Sequence, residues 1–272
     1  MKGSGISYGA VSVLNAIPCG IGSTIGITLR TEARFRSGDG QTIELIDRPN
    51  TDPMLARICV KCARGAIGQD IDEGYHLEIR TDIPPSMGLK SSSSVCNAVI
   101  SAVLDAYGER MDPLDVIRLG VRCAKECGVT ITGAFDDACG CGLGGLVVTD
   151  NTKNELLSRK GIPRYDVVVC IPDRSIPKSK VPVERYRELS EAYSKMVPRI
   201  EEDYLNVLTE NGRYVDDIIG SKNGLAEKAL EEGALAAGIT GTGPATAIIV
   251  RKGDGKWISE ALGCRTMLAG TR

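Results

Sequence analysis

The sequence predicts an α+β protein of two lobes that meet near residue 155, and three observations carry that expectation. Strand-like runs are mixed with antiparallel returns and helices. Three β-favouring segments open the chain before any helical run. Asn151–Gly161 then reads as a hairpin return and a hinge, after which the strong strand Tyr165–Ile171 begins a second half of its own. A chain of 272 residues suffices for one large or two moderate domains, here 1–155 and 156–272.

The first half is legible segment by segment. Ile6–Leu14, Ser23–Arg36 and Gln41–Asp47 favour β structure, with Ser37-Gly-Asp-Gly40 as the turn between the last two. Thr51-Asp52-Pro53 opens a helix to about Ile67, with proline at an early helical position. Tyr75–Ile83 alternates apolar and polar residues as a half-buried strand. Helices follow over Ser92–Tyr107 and Asp112–Cys127, the latter with Pro113 in its first turn. Gly133–Ala138 leads into the glycine-rich run Cys139–Gly145 and the strand Leu146–Asp150. In the second half Pro172–Lys180 is polar and basic, and helices cover Val183–Met196, Pro198–Asn211, Tyr214–Ile219 and Ser221–Glu232. A strand at Ala245–Arg251 follows the turn Gly238–Pro244, and a helix at Asp254–Leu262 and a strand at Cys264–Leu268 close the chain.

Composition narrows the function. A net charge of −2 and a pI of about 5.7 give no global reason to expect a nucleic-acid partner. No apolar run is long enough to span a bilayer, and Met1-Lys-Gly-Ser-Gly lacks a signal-peptide core, so a cytoplasmic setting is expected. Ten cysteines in such a setting suggest reduced thiols. Cys59 and Cys62 lie three apart in a helical run and read as small apolar packing; Cys123, Cys127, Cys139 and Cys141 lack the paired spacing of a zinc ribbon. The only histidine, His76, sits in an alternating strand as a surface or packing residue. Chemistry built on a Ser-His or Cys-His couple is disfavoured, which leaves a carboxylate as the expected general base.

Pro84-Pro85-Ser86-Met87-Gly88-Leu89-Lys90-Ser91-Ser92-Ser93-Ser94 is the most informative stretch. A strand ends at a Pro-Pro turn, a glycine permits close backbone approach, and four serines open a small-residue helix. The first turn of a helix has unpaired N–H groups and the positive end of the dipole, so it attracts anions. Serine hydroxyls add donors and can reach a metal, and Lys90 adds a point charge suited to phosphate. A helix cap needs one serine, not four beside Gly88 and Lys90. The expected ligand is a nucleotide polyphosphate with a divalent cation. Neither a Walker Gly-x4-Gly-Lys-Ser/Thr nor an N-terminal Gly-x-Gly-x-x-Gly unit is present.

Two further constellations are weaker alone. Gly238-Ile-Thr-Gly-Thr-Gly-Pro244 relaxes the backbone and then stiffens it. Its functional reading brings Gly241, Thr242 and Gly243 close to the phosphates or the phosphoryl acceptor; its structural reading is a plain connector. Asp136 and Asp137 stand in a small, apolar stretch with Glu126 ten residues before Asp136. Two adjacent acids there are costly to bury without a cation. One of them is suited to accept a hydroxyl proton and Glu126 to hold Mg²⁺, against the alternative of a solvated turn.

Taken in this order, the three elements resemble the GHMP kinase superfamily, whose central signature Pro-x3-Gly-Leu-small-Ser-Ser-Ala is similar to Pro84–Ser94. Lys90 replaces a usual small residue there. The late glycine motif resembles Gly238–Pro244. Within the superfamily the chain is most similar to the archaeal type of shikimate kinase, on Gly9–Pro18 with Gly20–Gly26 and on Thr132-Gly-Ala-Phe-Asp-Asp-Ala138. The resemblance runs nearly end to end.

It implies an N-terminal lobe like ribosomal protein S5 domain 2 and a ferredoxin-like C-terminal lobe. It also implies ATP bound on residues 85–94, Ser92 and Glu126 as Mg²⁺ ligands, and Asp136 as the catalytic carboxylate by its galactokinase-like spacing. Asp137 is the alternative, by a mevalonate kinase-like spacing. The implied reaction transfers the ATP γ-phosphoryl group to the 3-hydroxyl of shikimate, in chorismate and aromatic amino acid biosynthesis. Such a reaction needs alignment and charge stabilisation from the helix start, Lys90 and Mg²⁺. Asn15 and Ser23, with Arg174, Lys178 or Lys180, are the expected acceptor-binding groups. Pro172–Lys180 reads either as a solvated crossover or as a lid. The rival readings are a homoserine- or mevalonate-type kinase and a non-catalytic binding protein on the same fold. The oligomeric state is left open, a homodimer included.

Overall fold

The computed structural model describes residues 1–130, 133–176 and 180–272. A very long strand organises the first lobe. β1 (Lys2–Leu14) and β2 (Ile21–Ser37) pair antiparallel from Lys2 opposite Arg36 to Leu14 opposite Ser23. The free edge of β2 is then shared. Its N-terminal part takes β5 (Leu146–Asp150), and its C-terminal part takes β4 (Tyr75–Thr81). β3 (Gln41–Leu45) lies parallel to β4, which the crossover helix α1 (Met54–Ala66) makes possible, and β6 (Glu155–Lys160) returns along β5. Helices α2 (Ser91–Ala106) and α3 (Pro113–Glu126) join α1 over one face. They bury Phe35, Leu77 and Ile79 against Cys59, Val60, Val99, Val103, Leu119 and Cys123. Asp112 caps α3 by accepting from the Leu114 N–H, as the proline-led start predicts.

The second lobe is a four-stranded antiparallel sheet in the order β10-β7-β9-β8. Its strands are β7 (Tyr165–Cys170), β8 (Ala236–Ile239), β9 (Thr246–Arg251) and β10 (Thr266–Gly270). Alternation divides its residues cleanly. Val168, Cys170, Ile248 and Val250 face α8 (Leu225–Glu231) and α9 (Gly255–Leu262). Val167, Val169, Ala247 and Ile249 face the other way, into a core that also holds Val11, Val13, Leu14, Ile25 and Ile27 of the first sheet and Val207 and Leu208 of α7 (Ile200–Ile219). The two lobes therefore share one apolar interior.

Four elements depart from the sequence reading. The helix expected over Val183–Met196 is divided into α5 (Val183–Arg187) and α6 (Ser190–Met196). α7 runs through the break expected at residues 212–213, with Asp203 as its one non-helical residue. Gly212 is there for proximity: a Cβ on it would stand 2.3 Å from the Gly238 Cα of β8. For the same reason Gly238 belongs to a strand rather than a turn. Finally, the run read as an irregular lead-in is the helix α4 (Phe135–Leu143), whose two glycines give it poor intrinsic propensity. Tertiary contacts hold its C-terminal end. The Arg159 guanidinium donates to Leu143 O and to Gly144 O, and Arg272 Nη2 donates to Cys141 O at 3.0 Å. His76 lies on β4 between Thr42 and Glu78, and the ten cysteines are free thiols.

The contact between α7 and β8 predicts opposite outcomes for one kind of substitution. Gly65, in the last turn of α1, meets nothing nearer than 3.9 Å, so Gly65→Ala should stabilise by up to about 1 kcal/mol. Gly212→Ala should instead destabilise by about 2 kcal/mol or more, because overpacking outweighs the same propensity gain. Urea unfolding measures both. A Gly212→Ala chain as stable as the parent would refute the backbone contact.

Candidate active site

The phosphate-binding expectation has a definite geometry. α2 starts directly after Lys90, which adopts a left-handed conformation (φ 67°) and provides no side-chain cap. The first-turn N–H groups of α2 therefore face a cavity lined by Pro84, Pro85, Ser86, Gly88, Leu89 and Ser91–Ser93. Gly241, Thr242, Gly243 and Ile176 close its far wall. A smaller cavity adjoins it, lined by Ser12, Asn15, Ala16, Ile17 and Asp136. Lys90, Thr130, Ala134, Asp137, Gly241 and Thr242 line both.

Contacts between the lobes fix this arrangement. Gly88, at φ 79°, lies so close to the second sheet that a Cβ would stand 2.0 Å from Thr240 O. Thr240 Oγ1 donates to Gly88 O at 3.3 Å and accepts from the Ser12 N–H at 2.9 Å. Ser12 Oγ in turn accepts from the Gly241 N–H at 3.1 Å and from Lys90 Nζ at 2.7 Å. Asn15 Nδ2 donates to Gly241 O at 3.1 Å, while its backbone N–H donates to Asn211 Oδ1. One serine on β1 thus ties the phosphate loop to the late glycine turn.

Lys90 Nζ also meets Asp137 Oδ1 at 2.8 Å, with both side chains nearly buried. Its charge is directed to a carboxylate at the junction of the two cavities as well as to the phosphate side. Asp136 and Asp137 occupy the first turn of α4, where the dipole favours anions. Their surroundings differ. Among the described residues Asp136 has no cation in direct contact; Asn151 Nδ2 donates to its Oδ1 at 2.6 Å. Burial, and then the neighbouring Asp137 charge, push its carboxyl up to about 6, against the opposing pull of Lys90 and the Asn151 bond. Two adjacent acids are therefore divided into one paired with lysine and one pushed toward neutrality.

The structure brings most of the expected residues together. Pro85, Ser86, Gly88, Leu89, Lys90 and Ser91–Ser93 line the larger cavity, Gly241–Gly243 its far wall, and Asn15 the smaller one. Four expected residues lie elsewhere. Ser94 is turned into the lobe, donating to Thr31 Oγ1, and Met87 packs on the shared core. Ser23 is fully buried and lines neither cavity. Glu126 is exposed, beside Cys62 Sγ at 3.8 Å, and is absent from both linings. Ala124 is the α3 residue turned to the cavity, and two residues further on a helix points to the other side. Lys178 lies outside the described residues. Ser12 and Ile176 lie in stretches the sequence singles out, Gly9–Pro18 and Pro172–Lys180, without being marked there as individual residues, and Asn151 leaves no signal.

The comparisons show the family and the fold. Residues 54–145 match the family described as the GHMP kinases N-terminal domain. A shikimate kinase of Methanothrix thermoacetophila is 40% identical over 263 residues, covering 96% of this chain and 90% of its own. One of Pyrococcus abyssi is 35% identical, covering 90% of each. Among solved structures, the mevalonate kinase of Methanococcus jannaschii superposes with a TM-score of 0.81 over 100% of this chain and 98% of its own; at 17% identity it speaks for the fold.

The raised Asp136 carboxyl has a consequence for stability. Its folded value, about 6, exceeds the ordinary 3.8, so between those values the folded chain holds a proton that the unfolded chain has lost. Stability therefore falls as pH rises through that window, by about 2–3 kcal/mol in full. Asp136→Asn should remove the loss. Its gain over the parent should be near zero at about pH 4 and greatest above about pH 6.5. A gain independent of pH in urea unfolding would contradict the assignment.

Proposed function

The chain belongs to the GHMP kinases, and from that membership we propose that it transfers the γ-phosphoryl group of ATP to a hydroxyl of shikimate, as its archaeal relatives are named for doing. The observation that carries the reading is the Lys90–Asp137 pair on the wall common to both cavities. The triphosphate would lie against the first turn of α2 and Ser91–Ser93, with its γ-phosphorus toward the junction. The acceptor would enter the smaller cavity, among Ser12, Asn15 and Asp136. Asp137 would take the proton of the attacking hydroxyl as its oxygen bonds to phosphorus and the bond to the β-phosphate oxygen breaks. Lys90, held by Ser12, would keep that carboxylate in place and offset charge on the transferring group.

Mg²⁺ fits as an ion carried with the nucleotide. Among the described residues no three His, Cys, Asp or Glu side chains are grouped to hold a metal by themselves. Ser92 and the phosphate oxygens would form the hard-oxygen set that Mg²⁺ takes. Bound there, the ion would neutralise phosphate charge. The shikimate carboxylate also needs a cation, and among the described residues Lys90 is the one cation in the smaller cavity. Arg174 and Lys180, exposed on the segment that places Ile176 on the larger cavity, are the proposed source. Asp136 is the one observation that favours the runner-up, an amino-alcohol acceptor such as homoserine. Its engagement by Asn151 weighs against that use. We also propose a cytoplasmic setting for the free cysteines; no helix among the described residues is long and apolar enough to cross a membrane.

ADP release with ATP and Mg²⁺ against shikimate, homoserine, mevalonate and galactose tests the substrate, with turnover expected on shikimate alone. Turnover confined to another acceptor would overturn the assignment. Asp137→Asn should lower kcat by about 10²–10⁴-fold while the KM for ATP moves less than about tenfold. A kcat within a few-fold of the parent would remove Asp137 from the reaction.

A further inference from the structure

We propose that Asn151 is a positioning residue for this phosphoryl transfer: its side-chain amide grips Asp136 at two atoms and so sets the start of α4, from which Asp137 reaches Lys90. The inference rests on the kinase reading above. α4 lacks a cap of its own, because the residue before it, Ala134, is left-handed (φ 51°) and has no side chain able to accept. Asn151, just past the end of β5, supplies the missing acceptor. Its Oδ1 takes the backbone N–H of Asp136 at 3.0 Å, at the second helical position that a capping side chain ordinarily serves. Its Nδ2 donates to the Asp136 carboxylate at 2.6 Å.

Two more bonds fix the amide. The Asp136 N–H can only donate, which decides that the amide oxygen faces it, and Thr149 Oγ1 lies 2.8 Å from the same Oδ1 as a second donor. The Asn151 backbone N–H donates to Gly20 O at 2.9 Å, anchoring the residue to the loop before β2. Asn151 is 4% exposed, so water does not substitute readily for either contact. Among the described residues, the charged and titratable groups that face the pair are Asp137 and Cys139 from α4 and Lys90 from the loop before α2. Asp150 on β5 is engaged by Thr152 and Lys153. An asparagine is the side chain that satisfies both atoms of Asp136. An aspartate would accept the N–H equally well but would set a second carboxylate against the first.

That difference supplies the test, with Asn151→Asp and the exchanged pair Asp136→Asn/Asn151→Asp compared with the parent across about pH 5.5–8.5. The single variant should lose kcat on shikimate by about 100-fold near pH 8, with the KM for ATP within about threefold. It should recover about tenfold or more near pH 5.5, where the two carboxyls share a proton. The exchanged pair interchanges donor and acceptor, so it should return to within about tenfold of the parent and lose the acid dependence. Urea unfolding reads the same contact without any substrate. Asn151→Asp should be less stable near pH 8 than near pH 5.5, relative to the parent, and the exchanged pair should not. The proposal is overturned by parental kcat in Asn151→Asp near pH 8, by an exchanged pair as impaired as the single variant, or by pH-independent stability of the single variant. Parental turnover of shikimate in the same series judges the kinase reading separately.

Discussion

A buried ion pair governs this molecule. Lys90 and Asp137 come from elements that are distant in sequence, and neither charge tolerates burial alone. Lys90 can reach Asp137 only because the chain turns left-handed at that residue before α2 begins, and Asp137 can answer only because α4 starts from a second left-handed residue. Ser12 then ties the lysine to the second sheet through Gly241. The loop before α2, the helix α4 and the late glycine turn are held in register by charge pairing and by hydrogen bonds through Ser12, Thr240 and Asn15.

The same pairing explains why two neighbouring acids behave differently. Asp137 is balanced at close range by Lys90, on the wall that the two cavities share. Asp136 is nearly buried at the wall of the smaller cavity, where burial and the Asp137 charge weaken its acidity and an amide engages one oxygen. Division of labour between adjacent carboxyls is set by what surrounds them, not by their place in the chain.

How much was readable in advance follows from the nature of each signal. The serine run after Gly88 is a local pattern, and it located the larger cavity and the helix that starts beside it. The alternation of Tyr75–Ile83 fixed the faces of β4. Which acid is paired depends on how Lys90 projects, and that is a tertiary fact with no local trace. α4 escaped notice because its glycines lower its propensity, while its stability comes from Arg159 and Arg272 far along the chain. The left-handed residues were hidden for a similar reason: lysine and alanine carry none of the turn signature that glycine or asparagine would. Glu126 was placed by spacing, and spacing does not state which side of a helix a residue occupies.

The shared interior has a bearing on how the chain can be divided. Val167 and Val169 of the second sheet are packed in the same apolar cluster as Val11, Val13 and Ile25 of the first. Severing the backbone between Lys160 and Tyr165 would leave each half with an uncovered hydrophobic face, so neither lobe is a self-sufficient module. Whatever loosens one lobe also loosens the other. A ligand gripped across the cleft would accordingly raise the cooperativity of the entire fold rather than stiffen a single loop.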